Sequence, residues 1–196
     1  MLIDLVKKAR SHRRFHEKVR LSNEFMRDLI EYARFSPSGM NKQPIRFILS
    51  NNFDKNEKVF STLSWAAELR DWDGPEKGQR PAGYIIIVRD TNIVKNQNAD
   101  GAIMMQSIFL AAAEKDIAGC MLASVDRKKL RKIMNIPEHY EIEYVLALGK
   151  SAETVIVDDY PPKGDLRYYR DKDYNHHVPK RQVDELILKC CDRENS

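Results

Sequence analysis

Residues 100–114, DGAIMMQSIFLAAAE, constrain the fold more than any other stretch. Drawn as a helix, they are apolar almost all round, with Gln106 and Ser107 as the main interruptions. A helix of that kind belongs in the centre of a fold, where every face finds a partner. Asn98 or Asp100 supplies its N-cap. The same stretch is too short and too polar to span a membrane. Tyr84–Val88 reads YIIIV, a β-branched run that fits a buried strand.

The remaining elements arrange themselves around these two. Residues 2–9 predict a short helix with Leu2, Leu5, Val6 and Ala9 on one side. Ser22 caps a second helix, Leu21 staples onto Met26, and Phe25, Leu29, Ile30 and Ala33 follow at core spacing until Pro37 and Gly39 end it. A strand runs from Ile45 to Leu49. An amphipathic helix is predicted over 56–70, through Val59, Phe60, Leu63, Ala66 and Ala67. Residues 71–83 are rich in Gly and Pro and predict an irregular loop, which with Trp72 is long enough to cover a pocket. Further on come a strand near 120–123, a helix from Asp126 to Met134 and a strand over 142–148 stopped by Gly149. An extended tail follows, with a last helix at about 182–191. The alternation lacks a strict βαβ rhythm, so the expectation is an α+β or α/β sandwich with a mixed sheet flanked by helices.

At 196 residues a chain buries roughly 70% of its unfolded surface and needs no disulfide staple. Cys120, Cys190 and Cys191 are odd in number and two are adjacent, which excludes a disulfide framework and gives the wrong spacing for zinc. The N-terminal MLIDLVKKAR lacks a signal-like apolar core, and the expectation is a cytoplasmic protein in a reducing compartment. A net charge of +4 suits an anionic ligand without demanding nucleic acid.

Three segments carry candidate chemistry. Arg10-Ser11-His12-Arg13-Arg14 offers guanidinium forks and a hydroxyl to a phosphate, or is a solvated basic turn. Pro37-Ser38-Gly39-Met40-Asn41-Lys42-Gln43-Pro44 combines fixed backbone with hydrogen-bonding side chains, or is an ordinary helix-to-strand connection. His176-His177-Val178-Pro179-Lys180-Arg181 adds cations that complete an anion site, or is a basic surface tail; adjacent histidines point apart and make a poor metal site. Cys120, after a glycine in an apolar run, reads as a buried structural thiol. Phosphate-binding P-loop, dinucleotide glycine fingerprint and serine nucleophile elbow are all missing.

Taken in order, these segments resemble the FMN-dependent nitroreductase family. The resemblance rests on Arg10-Ser11-His12-Arg13, on the Pro37–Pro44 loop, on Asp100-Gly101 opening the long helix, on Gly119–Ser124, on Leu146-Ala147-Leu148-Gly149 and on Lys180-Arg181. Ile45 stands where many members carry Trp. The resemblance implies one domain over 1–196 with a mixed, mainly antiparallel sheet, its segment 155–196 a C-terminal extension completing the phosphate site and the dimer. It also implies a homodimer with FMN between subunits: phosphate on Arg10, Ser11, Arg13, Lys180 and Arg181; Pro37, Ser38 and Asn41 of the other chain on the ribityl and ring; and Leu122, Ala123 and Ser124 along the ring edge. The implied activity is ping-pong hydride transfer from NADH or NADPH through flavin N5 to a nitroaromatic, quinone or related small acceptor, with no catalytic side chain, no metal, no nucleic acid and no membrane. Members of this fold also dehalogenate, oxidise azolines or cleave flavin. A basic nucleic-acid-binding module and a flavin-storage protein are the competing classes.

Overall fold

Five consecutive buried residues, Tyr84–Val88, set the architecture, because a strand with both faces covered needs a helical layer on each side. In the computed structural model, which describes residues 1–159 and 164–190, the chain forms two units, the first ending at Glu153 and the second beginning at Thr154. In order, the first unit holds α1 (Leu2–Lys8), α2 (Asn23–Arg34), β1 (Ile45–Ser50), α3 (Phe53–Phe60), β2 (Gly83–Asp90), α4 (Asp100–Glu114), β3 (Ala118–Leu122), α5 (Arg127–Met134) and β4 (Tyr140–Gly149). Its sheet has the order β1-β2-β4-β3, antiparallel throughout.

Period-two alternation sends Ile85, Ile87, Leu146 and Leu148 to one face, into a core with Met26, Leu29, Met105 and Ile108 of α2 and α4. Tyr84, Ile86, Val145 and Ala147 face the other way, onto Val59 of α3 and Leu130 of α5. Each fully buried aliphatic side chain contributes about 1.5–3 kcal/mol, so β2 anchors both cores at once. Helix α4 is the interior helix expected: Met104, Met105, Ile108, Phe109 and Ala111–Ala113 are buried. One stripe stays in contact with solvent: Ile103, Gln106, Ser107 and Leu110 are exposed or half-buried, at the i, i+3, i+4, i+7 spacing of a single face. The Ser22 cap is present, its side chain accepting from Phe25 N at 3.0 Å, and Leu21 and Met26 are buried in the same core.

Two expectations fail. The helix over 56–70 is only α3, ending at Phe60. Ser61 Oγ and Thr62 Oγ1 donate to the Lys58 and Val59 carbonyls at 2.8 and 2.7 Å, turning the chain so that Leu63 bridges Val125. Leu63, Trp65 and Ala66 still reach the core, from a loop in which Ala66 has φ +41°; the apolar spacing served packing, not a helix. The tail is also more structured than extended. Its second unit contains β5 (Val155–Asp159), β6 (Tyr169–Arg170), β7 (His176–Lys180) and the four-residue α6 (Val183–Leu186), so the helix expected over 182–191 is one turn; Cys191 lies outside the described residues.

In that second unit β5 pairs parallel and β6 antiparallel with β7. His177 of β7 lies flat on Tyr169, ring centroids 4.7 Å apart. Its Nδ1 is 2.7 Å from Asp158 Oδ2 and its Nε2 3.2 Å from Asp171 Oδ2. Two carboxylates facing both ring nitrogens require the imidazolium, which alone donates twice. Burial pulls the His177 pKa down, but the two carboxylate hydrogen bonds outweigh it and the net direction is up. Hydrogen bonds, first from Asn175, hold Asp171 down at about 2. With His177 raised, its stabilisation is complete below the ordinary value of 6.5 and is lost as pH rises through the folded value. With Asp171 lowered, its share is present above 3.8 and is lost as pH falls through about 2. Hydrogen-exchange protection over residues 169–180 should therefore be greatest between those limits and fall on the alkaline side, and His177→Asn should flatten the alkaline fall. An unchanged profile in that variant would show that the clamp does not hold the unit together.

Candidate functional site

The basic segment after α1 is docked, not a free turn. Ser11 bridges Gly119 of β3 in parallel, and His12 N donates to the Gly119 carbonyl at 2.8 Å. Gly119 has no room for a side chain, since a Cβ there would sit 2.9 Å from Phe109 Cε2; that gap is what lets the segment lie against the strand. Below it, Phe15 is fully buried and bridges Ser151. Arg10 Nε and Nη2 donate to the Ala9 and Val6 carbonyls at 2.9 and 3.1 Å, fixing the guanidinium over the end of α1. The Glu153 carboxylate accepts from Arg13 N. Burial lowers the His12 pKa from 6.5, so that imidazole is neutral at physiological pH and the local positive charge belongs to the arginines. Cys120 is buried beneath Ser11, and burial pushes its thiol up to about 11; it is an inert thiol, as read from the sequence.

Leu122, Ala123 and Ser124 lie at the far end of the same strand. Ala123 is four residues beyond Gly119, or about 13 Å along an antiparallel strand. Leu122 is buried, while Ala123 and Ser124 are exposed. The Ala123 and Ser124 carbonyls are occupied, by Arg127 Nη2 at 3.2 Å and by Ser64 N at 3.0 Å.

The Pro37–Pro44 loop lies at the N-terminal end of α4. Ser38 Oγ donates to Asp100 Oδ2 at 2.6 Å and Gly39 N to Asp100 Oδ1 at 3.1 Å. Asn98 or Asp100 was expected as the cap of α4. The N-cap position falls instead on Ala99, without a side-chain cap; Asn98 Oδ1 accepts from Asp100 N at 3.0 Å, and the Asp100 carboxylate holds the loop. Arg10, Ser11 and Arg13 sit at the opposite end of α4, where Lys8 pairs with Asp116 just past the helix. Since α4 has 15 residues, the two segments are separated by its rise of about 21 Å. Within one chain the structure therefore brings Arg10, Ser11 and Arg13 together, with Leu122–Ser124 along the strand from them, and keeps Pro37, Ser38 and Asn41 apart. Lys180 ends β7, and Arg181 follows it with its Nη1 3.5 Å from Glu185 Oε1; both belong to the second unit.

Sequence reading missed a buried ion pair beside the loop. Arg89 Nε of β2 is 2.8 Å from Glu143 Oε1 of β4, with side chains only 7% and 2% exposed. Arg89 Nη1 also donates to the Val94 and Lys95 carbonyls at 2.7 and 2.6 Å. The second Glu143 oxygen has no hydrogen-bond partner and lies over Gly101, where a Cβ would collide with it. Burial raises the Glu143 pKa, and the neighbouring Asp100 adds to the rise against the pull of Arg89. The available signal was charge within two mainly apolar strands, Arg89 in YIIIVRD and Glu143 in EIEYVLAL. A groove of about 420 Å3, lined by Arg27, Ile30, Ile45, Arg46 and Met104 among others, opens between α2, β1 and α4. Among the described residues no group of His, Cys, Asp and Glu is arranged to hold a metal, and no helix is long and apolar enough to cross a membrane.

An antiparallel sheet between helical layers, with an arginine segment docked on its edge strand, makes up an α+β fold. The nitroreductase family pattern matches residues 6–150, and the chain belongs to that family. An iodotyrosine deiodinase of Thermotoga neapolitana is 25% identical over 166 residues, 76% of this chain and 88% of that protein. A nitroreductase family protein from Streptococcus pneumoniae superposes with a TM-score of 0.68 at 17% identity, over 97% of this chain and 100% of that one. An FMN-dependent nitroreductase from Clostridium difficile does so with a TM-score of 0.62 at 21% identity, over 87% and 93%. The two structures share the fold with this chain.

Proposed function

We propose that the protein is an FMN-dependent NAD(P)H oxidoreductase that works as a homodimer, with each flavin bound by residues of both chains. The observation that carries this reading is the placement of the two ligand-type segments at opposite ends of α4. A two-fold axis crossing the exposed Ile103–Leu110 stripe pairs two copies of α4 antiparallel. That pairing sets the Pro37–Pro44 loop of one chain beside Arg10, Ser11 and Arg13 of the other, and covers Ile103, which is 38% exposed.

The donor set suits FMN. Arg10 and Arg13 supply guanidinium forks and Ser11 a hydroxyl for a phosphate dianion, and Lys180 and Arg181 are the further cations the family resemblance implies. Toward the far end of β3, Leu122, Ala123 and Ser124 are the residues that the family resemblance sets along the ring edge. The spacing of about 13 Å along the strand leaves room for a ribityl chain. When bound, the flavin supplies the redox chemistry, taking a hydride from a nicotinamide and returning electrons to an acceptor. The chain's own work is to bind the phosphate, orient the ring edge and exclude water with the loop of the other subunit. No proton-transferring side chain is required, and a single site for donor and acceptor gives ping-pong kinetics.

A second reading, reductive dehalogenation by the same flavin, is favoured by the similarity to the Thermotoga neapolitana deiodinase. Purified protein should show flavin absorption bands that bleach under anaerobic NADH or NADPH. Reoxidation by a quinone or nitroaromatic supports the first reading; iodide release from an iodophenol without quinone turnover supports the second. A colourless protein that does not take up added FMN overturns both.

A further inference from the structure

The Pro37–Pro44 loop adopts backbone angles that its residues do not choose unaided. Met40, Asn41 and Gln43 all have positive φ, at 51°, 53° and 49°, and for an unbranched side chain such as Met the left-handed region is uphill. Met40 is 83% exposed, so packing of its side chain does not hold it there. Four hydrogen bonds do. Asp100, 3% exposed, accepts from Ser38 Oγ and Gly39 N; Ser38 Oγ in turn accepts from Gln43 N at 2.9 Å; and Arg46 Nη1 holds the Gln43 carbonyl at 2.9 Å. The loop is thus fastened at its start and its end through one buried carboxylate on the first turn of α4.

We propose that Asp100 is the positioning residue that sets both the shape of this loop and the hydrogen-bonding polarity that Ser38 shows to a ligand. The proposal rests on the flavin reading above and deepens it. A serine hydroxyl has one proton and two lone pairs. Asp100 takes the proton and Gln43 N–H takes one lone pair, so Ser38 meets a ligand as an acceptor only. It recognises a donor, such as a ribityl hydroxyl or a ring N–H, and turns away a carbonyl or phosphate oxygen. Asn41 complements it: its Oδ1 is occupied by Gln43 Nε2 at 3.0 Å, which leaves its amide N–H groups as donors. The loop carries one acceptor and one donor; Asp100 sets the role of Ser38, and Gln43 that of Asn41.

Three full-length variants test this. Asp100→Ala removes both acceptors, Ser38→Ala cuts the link from the loop side in case the first variant does not fold, and Asp100→Asn places an amide where the carboxylate stood. Hydrogen exchange over residues 36–44 is measured on the FMN-free protein, and FMN affinity by fluorescence titration. Asp100→Ala and Ser38→Ala should speed exchange in this segment while leaving β2 protected, and weaken FMN by about tenfold, the loss typical of a charge-assisted hydrogen bond. Asp100→Asn should keep exchange slow yet still weaken FMN, because its N–H reverses the role of Ser38. Unchanged exchange in Asp100→Ala and Ser38→Ala overturns the fastening. Faster exchange with undiminished FMN affinity overturns the positioning role, and full affinity in Asp100→Asn overturns the polarity. If wild-type protein itself takes up no FMN, the flavin reading fails and the positioning role with it, whereas the exchange difference still reports the fastening separately.

Discussion

Glu143→Ala should lower the stability of the protein by about 3–5 kcal/mol, a large share of the roughly 5–15 kcal/mol that holds a typical domain together. The reason is what the substitution leaves behind. Arg89 is 7% exposed with its Nε on Glu143 Oε1, and without that carboxylate a buried guanidinium keeps only the Val94 and Lys95 carbonyls. Glu143→Gln retains an acceptor at the Nε and should cost less. Urea titration of the two variants decides the matter: a loss below about 1 kcal/mol for Glu143→Ala would mean that water reaches Arg89 and the pair is no anchor. The pH dependence has a definite sign. Because the folded pKa of Glu143 lies above the ordinary 4.5, the native state holds its proton longer than the unfolded chain. Stability should then fall as pH rises through the window between 4.5 and the raised value, and Glu143→Gln should abolish that fall.

Arg13→Ala should weaken FMN binding tenfold to a hundredfold, about 1.5–3 kcal/mol for a hydrogen bond to a charged partner. Arg10→Ala should follow it, with an additional local effect because Arg10 also ties off the Val6 and Ala9 carbonyls. Arg13→Lys should recover only part of the loss, since an ammonium keeps the charge but not the planar fork. The measurement is titration of apo-protein with FMN, followed by turnover at saturating FMN. Loss of affinity with turnover retained assigns Arg13 to the phosphate, far from the reacting ring. Unchanged affinity removes the Arg10–Arg13 segment from the site, and loss of turnover with affinity intact would move it to the ring.

How legible this protein is varies along the chain with the range of the interactions involved. The Ser22 cap, the buried run Tyr84–Val88 and the interior position of α4 follow from neighbours a few residues away, and the sequence predicts them. Residues 56–70 break that rule: Val59, Phe60, Leu63 and Ala66 have helical spacing, yet the bridge from Leu63 to Val125, which ties residues far apart in the chain, takes the second half for a loop. The tail behaves likewise, because pairing of Val155–Asp159 with His176–Lys180 leaves no periodic mark in either segment. In the candidate site, the residue types and order of Arg10-Ser11-His12-Arg13 and Pro37–Pro44 are readable, but the part Asp100 plays is not.

By itself, the sequence determined which segments are helix and strand where local spacing governs, that one helix must be interior, and which short segments can meet an anionic ligand. Only the tertiary structure decided that the two ligand segments lie at opposite ends of α4, that Asp100 serves the loop and not its own helix, and that Arg89 and Glu143 are buried as a pair. The physical reason is distance along the chain. Caps and amphipathic faces are written within one or two turns, whereas Ser38 and Asp100, or Arg89 and Glu143, are joined across more than fifty residues by the folding of the sheet and helices between them.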